Sequence, residues 1–389
     1  MAGFTDPTRR LDRLGLLLCA LGAAALLFLP FMQFKANRIL PGLSHSLFAT
    51  LPPATALMVL AVLLAAGVAA LLVADGRIRL AAALLALLAL AIALHLGADA
   101  LTPERNAVAR VSPGSGFWLL SLVTGLLAAD ALMRLALRPL VRVLLLCAFF
   151  AICALALHSG TFDNLSIMRE YAVNEERFGH ELRTHLLLTL GSLGAATVVA
   201  LPVGFICAHR ARLRAAVLAG LNLVQTIPAI ALFGILMAPL AALAAAAPWA
   251  AAVGIRGIGA APAVIALFLY SLLPIVANTV AGLARVSPQT VDAARGMGMT
   301  QGQVLARVEL PLALPVLLTG IRIALVQNIG LVTIAALIGA GGLGAFVFQG
   351  IGQTAMDLVL LGAIPTMVLA FSAAILLDAL IESLDRVRA

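Results

Sequence analysis

The chain has 389 residues, of which 63% are hydrophobic and only 11% charged, and its formal charge is +8. A soluble domain carries roughly a quarter charged residues, so a water-soluble globule is excluded. The arginines are dispersed between apolar blocks rather than gathered on one face, which excludes a nucleic-acid surface.

The apolar blocks have the length needed to cross a bilayer core of about 30 Å as helix, and the short alternating segments of an outer-membrane barrel are absent. The expected fold is an all-α polytopic membrane protein of about ten transmembrane helices. In chain order the predicted spans are 14–33, 54–74, 79–96, 116–134, 140–158, 185–208, 215–238, 261–284, 312–335 and 357–380. Arg9, Arg10 and Arg13 precede the first run. They give it a signal-peptide look and a faint twin-arginine look, but the many spans that follow favour an uncleaved first helix. The arginine-bearing connectors 74–79, 134–142, 209–214 and 285–311 belong in the cytoplasm by the positive-inside rule, together with both termini. Arg169, Arg177 and Arg183 in one external stretch weaken that bias. Cys19, Cys147, Cys153 and Cys207 all lie in apolar segments without metal or C-x-x-C spacing, so they read as buried thiols.

Three regions are expected. Residues 1–158 hold about five Ala/Leu-rich spans, 159–184 form a polar external loop, and 185–385 form the transport domain. In the last region prolines and amides enter the spans. Proline breaks helical hydrogen bonding, which lipid tolerates only where protein or water re-satisfies the backbone. Gln225, Pro228, Asn278, Arg322, Gln327 and Asn328 are therefore the candidate translocation pathway. Arg322 reads equally well as a side chain snorkelling to the surface. Asp130 and Arg134 are spaced for a local ion pair. Asp378 and Glu382, with Arg386 four residues beyond Glu382, are expected on a solvated helix end, and His95 at an interface.

The segment 285–311 carries the most information. Ser287-Pro288 reads as an N-cap followed by proline at the first helical position. Asp292 lies near the positive end of that helix, and Gly296 and Gly298 break it. Thr300 with Gln303 reads as a capping box opening a second short helix that ends before Leu310-Pro311. Two capped helices around a glycine elbow make a compact protrusion.

Asp292-Ala293-Ala294, then Gly298, Val308 and Leu310-Pro311, resembles the EAA motif of ABC importer permeases, with Asp in place of the usual Glu and Val in place of the usual Ile. Gln225-Thr226-Ile227-Pro228-Ala229, Ala266-Leu267-Phe268-Leu269-Tyr270, Gly296-Met297-Gly298-Met299 and the segment 336–344 resemble permeases of glycine betaine, choline and related osmoprotectants. The resemblance covers about half of the chain, residues 185–380, and leaves the role of 1–158 unassigned. It implies a C-terminal five-helix type I (MetI-like) permease core in a bacterial inner membrane. It also implies that Asp292, Ala293, Ala294 and Gly298 contact a cytoplasmic ATPase dimer while Val308, Leu310 and Pro311 complete the coupling loop. The implied partners are that ATPase, a second permease subunit (identical or not), an extracytoplasmic solute-binding protein and membrane lipid, with no nucleic acid.

Gly339-Ala340-Gly341-Gly342-Leu343-Gly344 fits G-x-G-x-x-G, but a dinucleotide fingerprint needs a preceding strand, and here a membrane span precedes it. A flexible external turn is expected instead. No phosphate-binding G-x-x-x-x-G-K-[ST] exists, and Lys35 is the sole lysine. No cofactor and no catalysis are therefore assigned to this chain; ATP and Mg belong on the partner ATPase. The alternative readings are an ABC permease for an amino acid, sulfonate or phosphonate, or an ion-coupled secondary transporter. The latter needs essential intramembrane carboxylates and inverted repeats, and neither is evident.

Overall fold

The computed structural model describes residues 12–37, 41–103 and 108–386; Arg9, Arg10 and the Arg386 side chain lie outside the described residues. Among the described residues nine helices are long and apolar enough to cross a membrane, and a tenth apolar helix, Arg13–Phe28, is shorter. The described residues of Met1–Arg138 and Cys147–Ala172 form one compact unit, and those of Pro139–Leu146 and Val173–Ala389 a second.

The first unit comprises α1 (Arg13–Phe28), β1 (Met32–Lys35), β2 (Leu43–His45), the single turn α2 (Leu47–Thr50), α3 (Pro53–Leu72), α4 (Gly76–Leu101), β3 (Arg110–Pro113), α5 (Ser115–Leu135) and α7 (Ser166–Val173). Of α6 (Pro139–His158), Pro139–Leu146 belongs to the second unit and the remainder to the first. Helix starts follow local chemistry. The Asp12 carboxylate accepts from Leu14 N and Gly15 N, Asp75 accepts from Arg77 N, and α3 and α6 open on proline, whose missing N–H is harmless there. The predicted first span, 14–33, stops early. Leu29 turns extended before Pro30, as the residue before a proline prefers, and the chain enters a sheet. That sheet, ordered β2-β1-β3 and antiparallel throughout, pairs Met32 with both His45 and Pro113. Phe31, Met32, Leu90, Val111 and Phe117 are buried around it. An all-helical reading did not foresee it, because strands of three or four residues show no alternation.

A closed ring of charge ties this unit together. Arg79, 6% exposed, donates to Asp12 and to Asp130, each at 2.8 Å, and Arg134 donates to both carboxylates as well. Arg79 also donates to the Ala70 carbonyl, bringing α3 into the ring that joins α1, α4 and α5. Two cations face two anions, so the cluster is neutral. The expected Asp130–Arg134 pair is one side of it.

The second unit comprises α8 (Glu175–His209), α9 (Ala211–Thr226), α10 (Ala229–Ala246), the short α11 (Pro248–Ala252), α12 (Ala260–Ala284), α13 (Pro288–Gly296), α14 (Gln301–Val304), α15 (Leu310–Ala335), α16 (Gly344–Gly352) and α17 (Met356–Arg386). Two expectations need correction. Residues 159–184 are mostly helix, not loop: α7 and the first turns of α8 occupy them. The predicted span 215–238 is broken at Ile227-Pro228, leaving α9 with no buried residue and placing the membrane-length helix at Ala229–Ala246. Pro228 cannot continue α9, and an apolar stretch running beyond Met237 supplies the new helix. α8, α12 and α15 pack at the centre of the unit, where Gly320 of α15 faces the Pro274 carbonyl so closely that a Cβ would stand 2.6 Å from it. Small residues at helix contacts are the general device for close packing in lipid.

The ion ring generates a prediction. Arg79 beside it, aided by the Gly15 N–H and by Arg134, holds the Asp12 carboxyl down at about 2, from an ordinary 3.8. A depressed carboxyl pKa stabilises the fold above the unfolded value and is lost as pH falls through the folded one. The first unit therefore weakens between about pH 4 and pH 2, by about 2 kcal/mol. In detergent, followed through Trp118 fluorescence in a Trp249→Phe background, Asp12→Asn should remove that pH dependence. Arg79→Ala, which leaves two carboxylates facing the single Arg134 guanidinium, should destabilise by about 3 kcal/mol at neutral pH.

Candidate functional site

The segment between α12 and α15 is a preformed knob. The Ser287 hydroxyl caps α13 by accepting from Thr290 N at 3.2 Å, and Pro288 occupies the first helical position. The elbow follows with Gly298 at φ +83°, a conformation that glycine adopts without strain. Thr300 and Gln303 form the reciprocal capping box: Thr300 N donates to Gln303 Oε1 at 2.9 Å, and Gln303 N to Thr300 Oγ1 at 3.4 Å. The second short helix does not end before Leu310-Pro311, as the sequence suggests. A π-turn at Leu305–Glu309 carries it straight into α15. The wider turn gives room to the Pro311 ring, which would otherwise clash with the carbonyl one turn back.

The knob sorts its own candidates. Asp292, Ala293 and Gly298 are exposed, with Asp292 Oδ1 3.7 Å from Arg295 Nη1. Ala294 is buried, so it closes the elbow from inside and is not a surface contact. Val308 and Pro311 are half-buried, and Leu310 is exposed. Met297, beside the elbow, is 72% exposed. The Glu309 carboxylate lies 3.9 Å from His209 Nε2, bringing the end of α8 to the base of the knob.

The six pathway candidates make different contacts. Pro274 has no N–H, which frees the Tyr270 carbonyl one turn before it, and Gln225 Nε2 donates to that oxygen at 2.8 Å. The Tyr270 hydroxyl donates back to the Ile227 carbonyl. The break between α9 and α10 is thus clipped to the proline defect of α12, joining two motifs that lie 45 residues apart. Pro228, beyond the clip, is exposed and opens α10. Asn278 serves its own helix, donating to the Pro274 carbonyl at 2.8 Å. Asn328 is fully buried; its Nδ2 donates to Ser192 Oγ at 3.0 Å and Ser271 Oγ at 2.9 Å, while each hydroxyl donates to the carbonyl four residues before it. One amide therefore pins α8, α12 and α15. Gln327, next to it, is half-buried. Arg322 is ion-paired to Asp378 of α17, so neither the snorkelling arginine nor the solvated aspartate stands alone.

A second assembly was not foreseen. Arg177, Glu181 and His185, spaced i, i+4, i+8 on α8, grip the glycine turn after α15. Glu181 accepts from Gly342 N at 2.7 Å. His185, fully buried, accepts from Leu343 N at Nδ1 (3.3 Å), which leaves Nε2 to donate to the Ile329 carbonyl at 3.1 Å. Arg177 donates to Gln349 at 2.6 Å, and its guanidinium stacks 4.9 Å from the Phe346 ring. Gly344 lies so close to the Thr333 carbonyl that no Cβ fits. The turn is a packed joint: Gly339, Gly341 and Gly342 take positive φ, and Gly344 allows the close approach.

Comparison with known proteins gives the class. Residues 200–386 match the model described as "Binding-protein-dependent transport system inner membrane component", and residues 12–168 match "ABC transporter permease YehY, N-terminal domain". The choline transport system permease protein OpuBD of Bacillus subtilis (strain 168) is 39% identical over 223 residues, covering 57% of this chain and 92% of that protein. The osmoprotectant import permease protein OsmW of Salmonella typhimurium is 44% identical over 201 residues, covering 52% of this chain and 86% of that protein. This chain belongs to the inner-membrane permeases of binding-protein-dependent ABC importers. A solved inward-facing structure of the MetNI methionine ABC transporter aligns with 53% of the permease and 94% of that chain, at 25% identity and a TM-score of 0.42. As a member of that family the permease is a multi-pass transport component of a bacterial inner membrane that works with an ATPase and a binding protein.

The Asn328 pin sets a test within the permease. Asn328→Ala removes two buried hydrogen bonds and leaves a void, which should cost about 2–3 kcal/mol in unfolding of the second unit. Asn278→Ala, which loses a bond internal to one helix, should cost less than about 1 kcal/mol. Trp249 fluorescence in a Trp118→Phe background separates the two.

Proposed function

We propose that this permease passes glycine betaine, choline or a related osmoprotectant inward, driven by ATP and Mg bound on a separate cytoplasmic ATPase dimer. A solute-binding protein delivers the cargo on the outer side, and a second permease subunit presents the second knob, because two ATPase sites call for two coupling loops. Both termini and the 285–311 knob lie in the cytoplasm, as the arginine-bearing connectors favour. The solute class is supported by what the relatives are named for: choline, osmoprotectants and, in a permease of Listeria monocytogenes 37% identical to this one, carnitine.

The observation that carries the mechanism is the mechanical continuity of the knob. α13 and α14 connect directly to α12 and, through the π-turn, to α15, with no slack linker, and Asn328 pins both flanking helices to α8. Displacement of the knob by a closing ATPase therefore becomes displacement of three packed helices. At the far end of α8 the same motion reaches the glycine joint held by Glu181 and His185.

In vesicles containing the permease with its ATPase and binding protein, ATP-dependent glycine betaine uptake is expected. Gly298→Val forces a β-branched residue into positive φ, at about 1–3 kcal/mol of strain, while its Cβ meets nothing within 4 Å. Asp292→Trp places bulk on the exposed face. Each should lower uptake at least tenfold, on the order of 1.4 kcal/mol or more of lost coupling, with the transporter still inserted. Undiminished uptake in both variants would remove the knob from the mechanism, and uptake without any ATPase would remove the class.

A further inference from the structure

Arg322 and Asp378 are an intramembrane ion pair on an open face of the second unit. Arg322 lies twelve residues into α15 and Asp378 eight residues before the end of α17, about 18 Å and 12 Å along their helices at 1.5 Å per residue. Both residues lie within helices long and apolar enough to cross a membrane. The pair is nevertheless accessible: the Arg322 side chain is 29% exposed and that of Asp378 47%. The polar groups that pin α8, α12 and α15 behave differently, since Ser192, Ser271 and Asn328 are all 0% exposed. Ionisable groups at such depth face a protein interior or a water-filled cavity, not lipid. The α15–α17 face therefore borders water in the assembled transporter. Ile323, which follows Arg322 on α15, is also exposed.

A zwitterion is the ligand that suits an accessible, neutral ion pair. With the site empty, each charge compensates the other. When a molecule carrying both a carboxylate and a quaternary ammonium enters, it can replace the internal contact with two new ones at unchanged net charge. We propose that the Arg322–Asp378 pair is an exchangeable site for zwitterionic quaternary-ammonium solutes: the solute carboxylate takes the place of Asp378 on the Arg322 guanidinium, and its ammonium takes the place of Arg322 beside the Asp378 carboxylate. A quaternary ammonium has no N–H and is held by charge alone unless aromatic faces surround it, and two Trp and two Tyr in the whole chain leave few such faces. The carboxylate of Asp378 fills that role. The guanidinium supplies the paired donors that match a carboxylate. The assignment also gives a selectivity rule. A carboxylate-bearing solute uses both halves of the site, whereas a cation such as choline uses Asp378 and leaves Arg322 without a counter-charge.

This inference rests on the osmoprotectant reading, and the test separates the two. Uptake of labelled glycine betaine and of choline is measured in vesicles with the complete transporter. Absence of both in the unaltered protein refutes the osmoprotectant reading itself. Given betaine uptake, Arg322→Gln and the double variant R322Q/D378N, confirmed to co-purify with the ATPase, should each lower it at least tenfold. Where choline is also carried, Arg322→Gln should lower the betaine-to-choline ratio at least tenfold. A pair that is only structural tolerates joint neutralisation, so recovery of betaine uptake in the double variant overturns the site, as does equal loss of both solutes in Arg322→Gln. An independent readout uses Asp378→Cys with Cys19, Cys147, Cys153 and Cys207 changed to alanine. A charged, membrane-impermeant thiol reagent should label it in opened vesicles, and glycine betaine should slow labelling at least threefold. No labelling, or labelling that betaine does not slow, refutes the aqueous site.

Discussion

In a bilayer every backbone group that a proline releases must find its partner inside the protein, and the architecture of the transport unit follows from that constraint. Pro274 in α12 releases the Tyr270 carbonyl, Gln225 reclaims it, and the Tyr270 hydroxyl fastens the neighbouring break at Ile227. Asn278 and Thr319 add side-chain donors to the Pro274 and Pro315 carbonyls from within their own helices. The break at Pro274 is thus a joint with an assigned partner, the Gln225 amide.

The same economy governs charge. In the first unit four ionic groups from α4, α5 and the cap of α1 close on themselves, so a cluster that would be costly singly is neutral as a set. In the second unit the pairs are spread out: His209 to Glu309 at the knob and Arg322 to Asp378 between α15 and α17 tie elements together, while Arg177 to Glu181 lies along α8. One cluster is inward and structural. The other pairs lie along the route by which force and solute would travel.

Much of this was legible in the chain itself, where the governing interactions are local. The Ser287 cap, the Gly298 elbow and the Thr300–Gln303 box depend on neighbours three residues apart, and all three are in place. Apolar length located the spans. Contacts between distant residues left no trace of that kind. Arg79 meets Asp12 across 67 positions, and Leu343 meets His185 across 158. A buried amide and a water-facing amide are the same letter in a sequence, and only the two serine partners of Asn328 reveal its burial. The break at Pro228 was visible as a proline but hidden as a boundary, since apolar residues continue on both sides. The i, i+4, i+8 spacing of Arg177, Glu181 and His185 was the one available signal for the glycine joint.

The double capping of the knob bears on how efficiently a motor could drive it. Because α13 and α14 satisfy their own first-turn N–H groups through Ser287, Thr300 and Gln303, the handle keeps its form when nothing holds it. A gripping surface then spends little conformational entropy on ordering its target. More of each stroke is left as torque on the helices at its root.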